Sequence, residues 1–179
     1  MKNILSILIL LCGISSCTKA PRLVEVDKGY SSTSVNTTIF RNSSLASFEG
    51  KQYIAYYDAE GWMVIGSRLL NEDTWTLKRS QYKGNVKDAH NVISLMVDGE
   101  GYLHVAFDHH GHPLNYCRSV APHSLELGDK ESMTGVDEKD VTYPEFYRLA
   151  NGDLLFAYRS GASGRGNLVL NRYSLKTRQ

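Results

Sequence analysis

The chain has 179 residues, enough for one domain with a tail, and its 20 basic and 19 acidic residues leave a formal charge of +1. That balance lacks the basic excess with which nucleic-acid-binding proteins meet phosphates, so no nucleic-acid partner is expected. Hydrophobic residues at 42% suffice for a core, and 11 Tyr beside only 4 Pro favour a folded, strand-rich chain over a disordered one.

The first element is a leader. Met1-Lys2-Asn3 gives a positive start, and Ile4 to Leu11 is aliphatic apart from Ser6. That run is too short to span a bilayer as a mature helix and fits an export signal. It ends in Ile14-Ser15-Ser16-Cys17, where small residues before a Cys resemble the bacterial lipobox. Residues 1–17 are therefore expected to be a lipoprotein signal peptide, with Cys17 lipidated. The protein would then be exported and lipid-anchored to a bacterial membrane, in the periplasm or at the cell surface. The alternative is ordinary cleavage near Ser16 with Cys17 incidental. Cys12 leaves with the leader, and Cys117 is then the one thiol beside the anchor, so no intrachain disulfide is expected.

Residues 18–35 are polar and rich in Ser and Thr and are expected to form a spacer. From residue 36 onward a repeat emerges. Tyr53-Ile-Ala-Tyr-Tyr-Asp58, Leu103-His-Val-Ala-Phe-Asp108 and Leu154-Leu-Phe-Ala-Tyr-Arg159 each end in an aromatic and a charged residue, at a period of about 50. Each follows a turn signal: Glu49-Gly50, Asp98-Gly99-Glu100-Gly101 and Asn151-Gly152-Asp153. A second strand is expected after each, at 62–70, 113–120 and 167–175, and further strands at 91–97 and 145–149. Short strands recurring at this period point to an all-β fold, a partial β-propeller over residues 36–179. About three four-stranded blades fit, too few to close a ring by themselves. The competing reading is a β-sandwich whose hairpins look alike by chance.

Residues with chemical potential collect near the ends of these strands. They are His90 in Asp88-Ala89-His90-Asn91, His109 and His110 in Phe107-Asp108-His109-His110-Gly111-His112, Tyr143 before Pro144, and Arg159 at the start of a Gly-rich stretch. Each has a plainer explanation. His109 and His112 fit a hairpin tip, solvated or hydrogen-bonded to backbone, Tyr143 a packed loop anchor, and Arg159 an ion pair with Asp58 or Asp108. His104, His109, His110, His112 and Cys117 also suggest a structural zinc site, but His104 falls within a strand and the spacing matches no standard zinc motif. No metal and no cofactor are assigned on this basis.

The stretch from His90 through Asp108-His109-His110 to Leu114-Asn115-Tyr116, with Tyr143-Pro144 and Phe156-Ala157-Tyr158-Arg159-Ser160-Gly161, resembles the BNR-repeat propeller family. That family includes seven-bladed ulvan lyase-type polysaccharide lyases and related enzymes that cleave rhamnose–glucuronate linkages. The resemblance covers most of the mature chain but only the N-terminal half of a family domain. The His90–His110 spacing of 20 and the Tyr143–Arg159 spacing of 16 agree with the lyase pattern.

The resemblance implies an acidic polysaccharide partner, cleaved by β-elimination at a uronic acid, in the complete protein; the 179-residue chain alone is expected to be inactive. It assigns catalysis to His90 and Tyr143, leaving open which removes the proton, and substrate binding to His110, Arg159 and His109. Guanidinium suits a planar carboxylate, and His and Tyr are common proton-transfer groups. A glycoside hydrolase on the same propeller, or a noncatalytic glycan-binding propeller, are the alternatives.

Overall fold

The computed structural model describes residues 22–37 and 43–179; the leader and Cys17 lie outside the described residues. Every regular element among the described residues is a strand: β1 (Leu45–Phe48), β2 (Lys51–Tyr57), β3 (Trp62–Leu69), β4 (Thr76–Lys83), β5 (Ile93–Val97), β6 (Leu103–Phe107), β7 (His110–His112), β8 (Tyr116–Arg118), β9 (Val141–Arg148), β10 (Leu154–Ala162) and β11 (Arg165–Tyr173). They form three antiparallel sheets, ordered β1-β2-β3-β4, β5-β6-β8 and β11-β10-β9-β7. The first sheet is the four-stranded meander expected from the repeat. The second has three strands, because β7, which lies between β6 and β8 in sequence, pairs instead with β9 of the third sheet.

Strand β6 explains why the sheets stack. Successive side chains of a strand face opposite sides, yet every residue from Leu103 to Phe107 is buried. Leu103, Val105 and Phe107 join Tyr53, Tyr57, Met63 and Ile65 of the first sheet in one core. Ala106 joins Tyr116, Phe146, Phe156 and Tyr158 in a second core against the third sheet. The middle sheet is therefore covered on both faces. Polar links fix the spacing: Phe146 N donates to Ser94 Oγ (3.2 Å), and Ser43 Oγ donates to Phe146 O (3.1 Å). The turns also touch, where Gly99 N donates to Gly152 O at 2.9 Å. A Cβ on Gly99 would lie 2.8 Å from the Cα of Gly152, so this approach requires glycine.

Two turns share one design. In Asp58-Ala59-Glu60-Gly61-Trp62 and Asp98-Gly99-Glu100-Gly101-Tyr102, the Asp Oδ1 accepts the N–H groups two and four residues later at 2.9–3.0 Å. The fourth residue of each, Gly61 and Gly101, has positive φ (83° and 88°). The segment expected to be a spacer is held at its C-terminal end. Tyr30 N donates to Tyr57 O (2.8 Å), Tyr57 N donates to Asn36 Oδ1 (2.9 Å), and Val35 is buried in the first core.

Three residues of the zinc reading are structural. Buried His104 receives the Tyr116 hydroxyl at Nδ1 (2.7 Å) and faces Asp98 Oδ2 through Nε2 (3.2 Å). Burial lowers its pKa despite that carboxylate, so the imidazole is neutral and donates from Nε2. Burial likewise pushes the Cys117 thiol up to about 12. His109 is fully buried and takes the backbone-bonded form of the hairpin-tip reading rather than the solvated one. Its Nε2 accepts the Asn115 N–H at 2.8 Å and pins the link between β6 and β8.

Two outcomes follow from this packing. Phe146→Ala empties the second core and is expected to lower stability by about 3–5 kcal/mol, read from urea unfolding. For His109, burial and then the positive charges at His112 and Lys130 depress the pKa to about 3. The unfolded imidazole takes its proton near the ordinary value of about 6.5, so acid favours the unfolded chain between those limits. Stability is therefore complete above about pH 6.5 and declines toward pH 3, by up to about 1.4 kcal/mol per pH unit from this group. His109→Gln, which keeps an acceptor for Asn115, should reduce that slope in denaturation series run across the window. An unchanged slope would show that His109 does not drive it.

Candidate active site

The site begins with the turn before β5. Tyr57 Oη donates to Asn91 O (3.0 Å), Asn91 Nδ2 donates to Asn85 O (3.0 Å), and Asn85 N donates to Asp108 Oδ1 (2.7 Å). These bonds fix both ends of the loop carrying Asp88 and His90 against the first core and the end of β6. Within it, Asp88 Oδ1 accepts the backbone N–H of His90 at 2.9 Å and faces His90 Nδ1 at 2.6 Å.

His110 arrives through the exchanged strand. Thr142 Oγ1 accepts the Gly111 N–H (2.8 Å), and β7 sits on the edge of β9 with a register shift between His110 and His112. Alternation along this segment turns His109 into the interior and leaves its neighbour His110 on the surface. His110 Nδ1 then lies 2.6 Å from Asp88 Oδ2. The two imidazoles stack, with centroids 4.1 Å apart and planes at 25°. Partial burial works against a charge on Asp88. The N–H of His90 and the rings of His110 and His90 outweigh it and hold the carboxyl well below the usual carboxylate range.

Tyr143 joins through an irregularity in β9. The pairing of β9 with β10 runs regularly to Ala157↔Glu145 and resumes at Arg159↔Thr142. Tyr143 and Pro144 thus oppose the single residue Tyr158, a bulge of the kind that re-aims side chains near active sites. Pro144 needs no ladder partner there, having no N–H. Tyr143 adopts φ +54°, which is uncommon for an aromatic residue and marks a conformation imposed by its surroundings. Its ring lies 5.9 Å from that of His90, centroid to centroid.

Arg159 completes the group. Its guanidinium carbon stands 5.2 Å from the Tyr143 ring centroid, a cation–π arrangement. Its Nε is buried and makes no hydrogen bond. A Cβ on Gly166 would lie 2.8 Å from Arg159 Cγ, so that glycine leaves the space in which the arginine stem lies. The two carboxylates considered as its partners are engaged elsewhere: Asp58 pairs with Arg79 (2.6 Å), and Asp108 accepts the Asn85 backbone N–H.

His90, His110, Tyr143 and Arg159 are thus brought into one connected group, and His109 is not. Sequence reasoning gave no role to Asp88; the only signal available was its position two residues before His90. Nor are His104, His109, His110, His112 and Cys117 gathered into a metal site. Among the described residues, Asp88, His90 and His110 are the group whose ligand atoms lie within 4.8 Å of one another. An aspartate and two imidazoles are suitable donors for a divalent cation, but here Nδ1 of each ring is already paired with Asp88.

Known proteins with similar sequence are ulvan lyases. The long-isoform ulvan lyase of Alteromonas sp. (strain LOR) is 30% identical over a match covering 64% of this chain and 16% of that protein. The ulvan lyase of Nonlabens ulvanivorans is 31% identical over 42% of this chain and 18% of that protein. Among solved structures, the polysaccharide lyase Uly1 superposes with a TM-score of 0.67 at 15% identity, covering 88% of this chain and 43% of that one. A PL25 ulvan lyase bound to -[GlcA(1-4)Rha3S]- superposes with a TM-score of 0.66 at 19% identity, covering 86% and 38%. The chain therefore shares the fold of these enzymes and spans less than half the length of each. The model of the BNR repeat-containing family matches residues 51–179, and the chain belongs to that family.

Proposed function

We propose that this chain forms three blades of a larger β-propeller that cleaves a uronic-acid-containing polysaccharide by β-elimination. The observation that carries the reading is the convergence of His90, His110, Tyr143 and Arg159, from four separate segments, beside one another. The similarity to ulvan lyases supports the reaction class.

In such a reaction a base removes the proton at C5 of the uronate, beside its carboxylate. The electrons move to form the C4–C5 double bond, the C4–O bond breaks, and an acid protonates the departing oxygen. Charge builds on the carboxylate as the proton leaves, so a fixed cation there lowers the barrier. Arg159 supplies that cation, with its planar donors matched to a planar carboxylate. His110 helps hold the sugar, its Nε2 accepting a hydroxyl when the ring is neutral and donating to the carboxylate when it is protonated. His90 and Tyr143, whose rings lie 5.9 Å apart, divide the base and acid roles.

The remainder of the ring would cover the third sheet, where Leu168 and Leu170 are 75% and 57% exposed on β11. Alone, the chain is expected to turn over little. The leader and Cys17 favour export and lipid anchoring to a bacterial membrane, close to a polymer too large to enter a cell.

The test is product chemistry on the complete protein. Elimination creates an unsaturated uronate and a rise in ultraviolet absorbance, whereas hydrolysis yields new reducing ends without it. His90→Ala is expected to lower the elimination rate on the order of 10²–10⁴-fold, and Arg159→Ala on the order of 10²–10³-fold. Near-normal rates in both variants would remove these residues from the mechanism, and reducing ends without absorbance would replace the lyase by a hydrolase.

A further inference from the structure

We infer that Asp88 is a positioning residue that locks both His90 and His110 in the Nδ1–H tautomer, leaving the lone pair of each ring on Nε2. The inference deepens the proposed lyase site and rests on it for its catalytic meaning, though not for its structural content.

A carboxylate offers only acceptors once ionised. Asp88 is held in that form by the His90 backbone N–H and by the two rings themselves. Each of its oxygens then faces a different imidazole nitrogen, Oδ1 with His90 Nδ1 and Oδ2 with His110 Nδ1, both at 2.6 Å. A distance that short between an anion and a ring nitrogen requires a proton on the nitrogen, since two lone pairs would repel. In a neutral imidazole the other nitrogen is then the base. One side chain thus orients two rings, which stack at 4.1 Å with their planes 25° apart while they share it.

The loop geometry shows that this arrangement is built in. Asp88 cannot swing away without losing its bond to the His90 N–H, and the loop is bound to Tyr57 and Asp108 at its ends. His110 comes from a different sheet, so Asp88 is also the joint at which the two halves of the histidine pair meet. Isolated histidine favours the opposite tautomer, with the proton on Nε2. Without Asp88 the His90 ring would present a donor where proton removal needs an acceptor.

The experiment uses this 179-residue chain labelled with 15N at histidine, with EDTA present, at about pH 8.5, above the ordinary imidazole range. Long-range proton–nitrogen correlations distinguish protonated from unprotonated ring nitrogens, and His90→Gln and His110→Gln assign the two rings. The expected result is pyrrole-type Nδ1 and pyridine-type Nε2 at both positions. Asp88→Ala should shift both rings toward Nε2–H. Asp88→Asn, with one acceptor and one donor, should shift one ring and leave the other. An Nε2–H ring at either position in the unmodified chain would overturn the inference, as would two unshifted rings in Asp88→Ala. If Asp88→Ala does not fold, the unmodified spectrum still decides.

In the complete enzyme, Asp88→Ala should lower kcat on the order of 10²–10⁴-fold with little change in KM, and Asp88→Glu should recover part of the loss. Wild-type kcat in Asp88→Ala would overturn the positioning role. Failure of every form to produce unsaturated uronate would instead refute the lyase reading, while the tautomer result stood by itself.

Discussion

The structure depends on a strand with no exposed face. Every side chain from Leu103 to Phe107 is buried, so the sheet containing β6 needs a sheet on each side. The first sheet covers Leu103, Val105 and Phe107, and the third covers His104 and Ala106. Apolar burial supplies the attraction, and it is not directional. Direction comes from the polar links, Ser94 to Phe146, Ser43 to Phe146 and Gly99 to Gly152, which set the distance and rotation between neighbouring sheets. The buried His104, satisfied by Tyr116 and Asp98, adds a polar contact that only one registration of the middle sheet can meet.

The exchange of β7 follows from this stacking. If His110–His112 continued the hairpin of β6 it would stay in the second sheet. Instead it crosses to the edge of β9, tying the second sheet to the third by backbone pairing as well as by side chains. The crossing also decides which histidine joins the candidate site. His109, at the point of departure, is drawn inside to hold Asn115, while His110 emerges beside Asp88. The β9 bulge acts in the same region, turning Tyr143 toward His90 and Arg159. Two departures from regular pairing, one residue pair apart on the same strand, thus assemble the site.

The parts legible in the sequence were those set by short-range pattern. The strand repeats, their turns and the three-sheet organisation follow from alternation and glycine placement, and β3, β5 and β11 begin within two residues of their expected positions. The early start of β9 at Val141 was hidden, because Tyr143-Pro144 has the composition of a loop and only the bulge allows it inside a strand. The destination of β7 was hidden for a different reason. A three-residue strand carries no pattern that says which edge it will join. His109 and His110 were chemically equal in the sequence, and the phase of alternation that separates them is set by the neighbouring sheets. Asp88 was visible two residues from His90, but its second partner lies 22 residues away, and the contact exists only once the second and third sheets have packed.

For the proposed elimination, charge gives the cluster its sense for an anionic sugar. A lone carboxylate in such a site would repel the substrate, and a lone arginine would bind substrate and transition state almost equally, raising affinity more than rate. Here Arg159 contributes +1 and Asp88 contributes −1, so with both imidazoles neutral the four groups sum to zero. Each proton accepted by His90 or His110 makes the sum more positive by one. In the proposed elimination, a base in this cluster that takes the C5 proton would raise the local positive charge at the same step in which the substrate carboxylate gains negative charge. The stabilisation grows along the reaction coordinate, which separates catalysis from tight binding. That coupling requires the imidazole proton to be received on Nε2, with Asp88 already compensating the ring from the Nδ1 side.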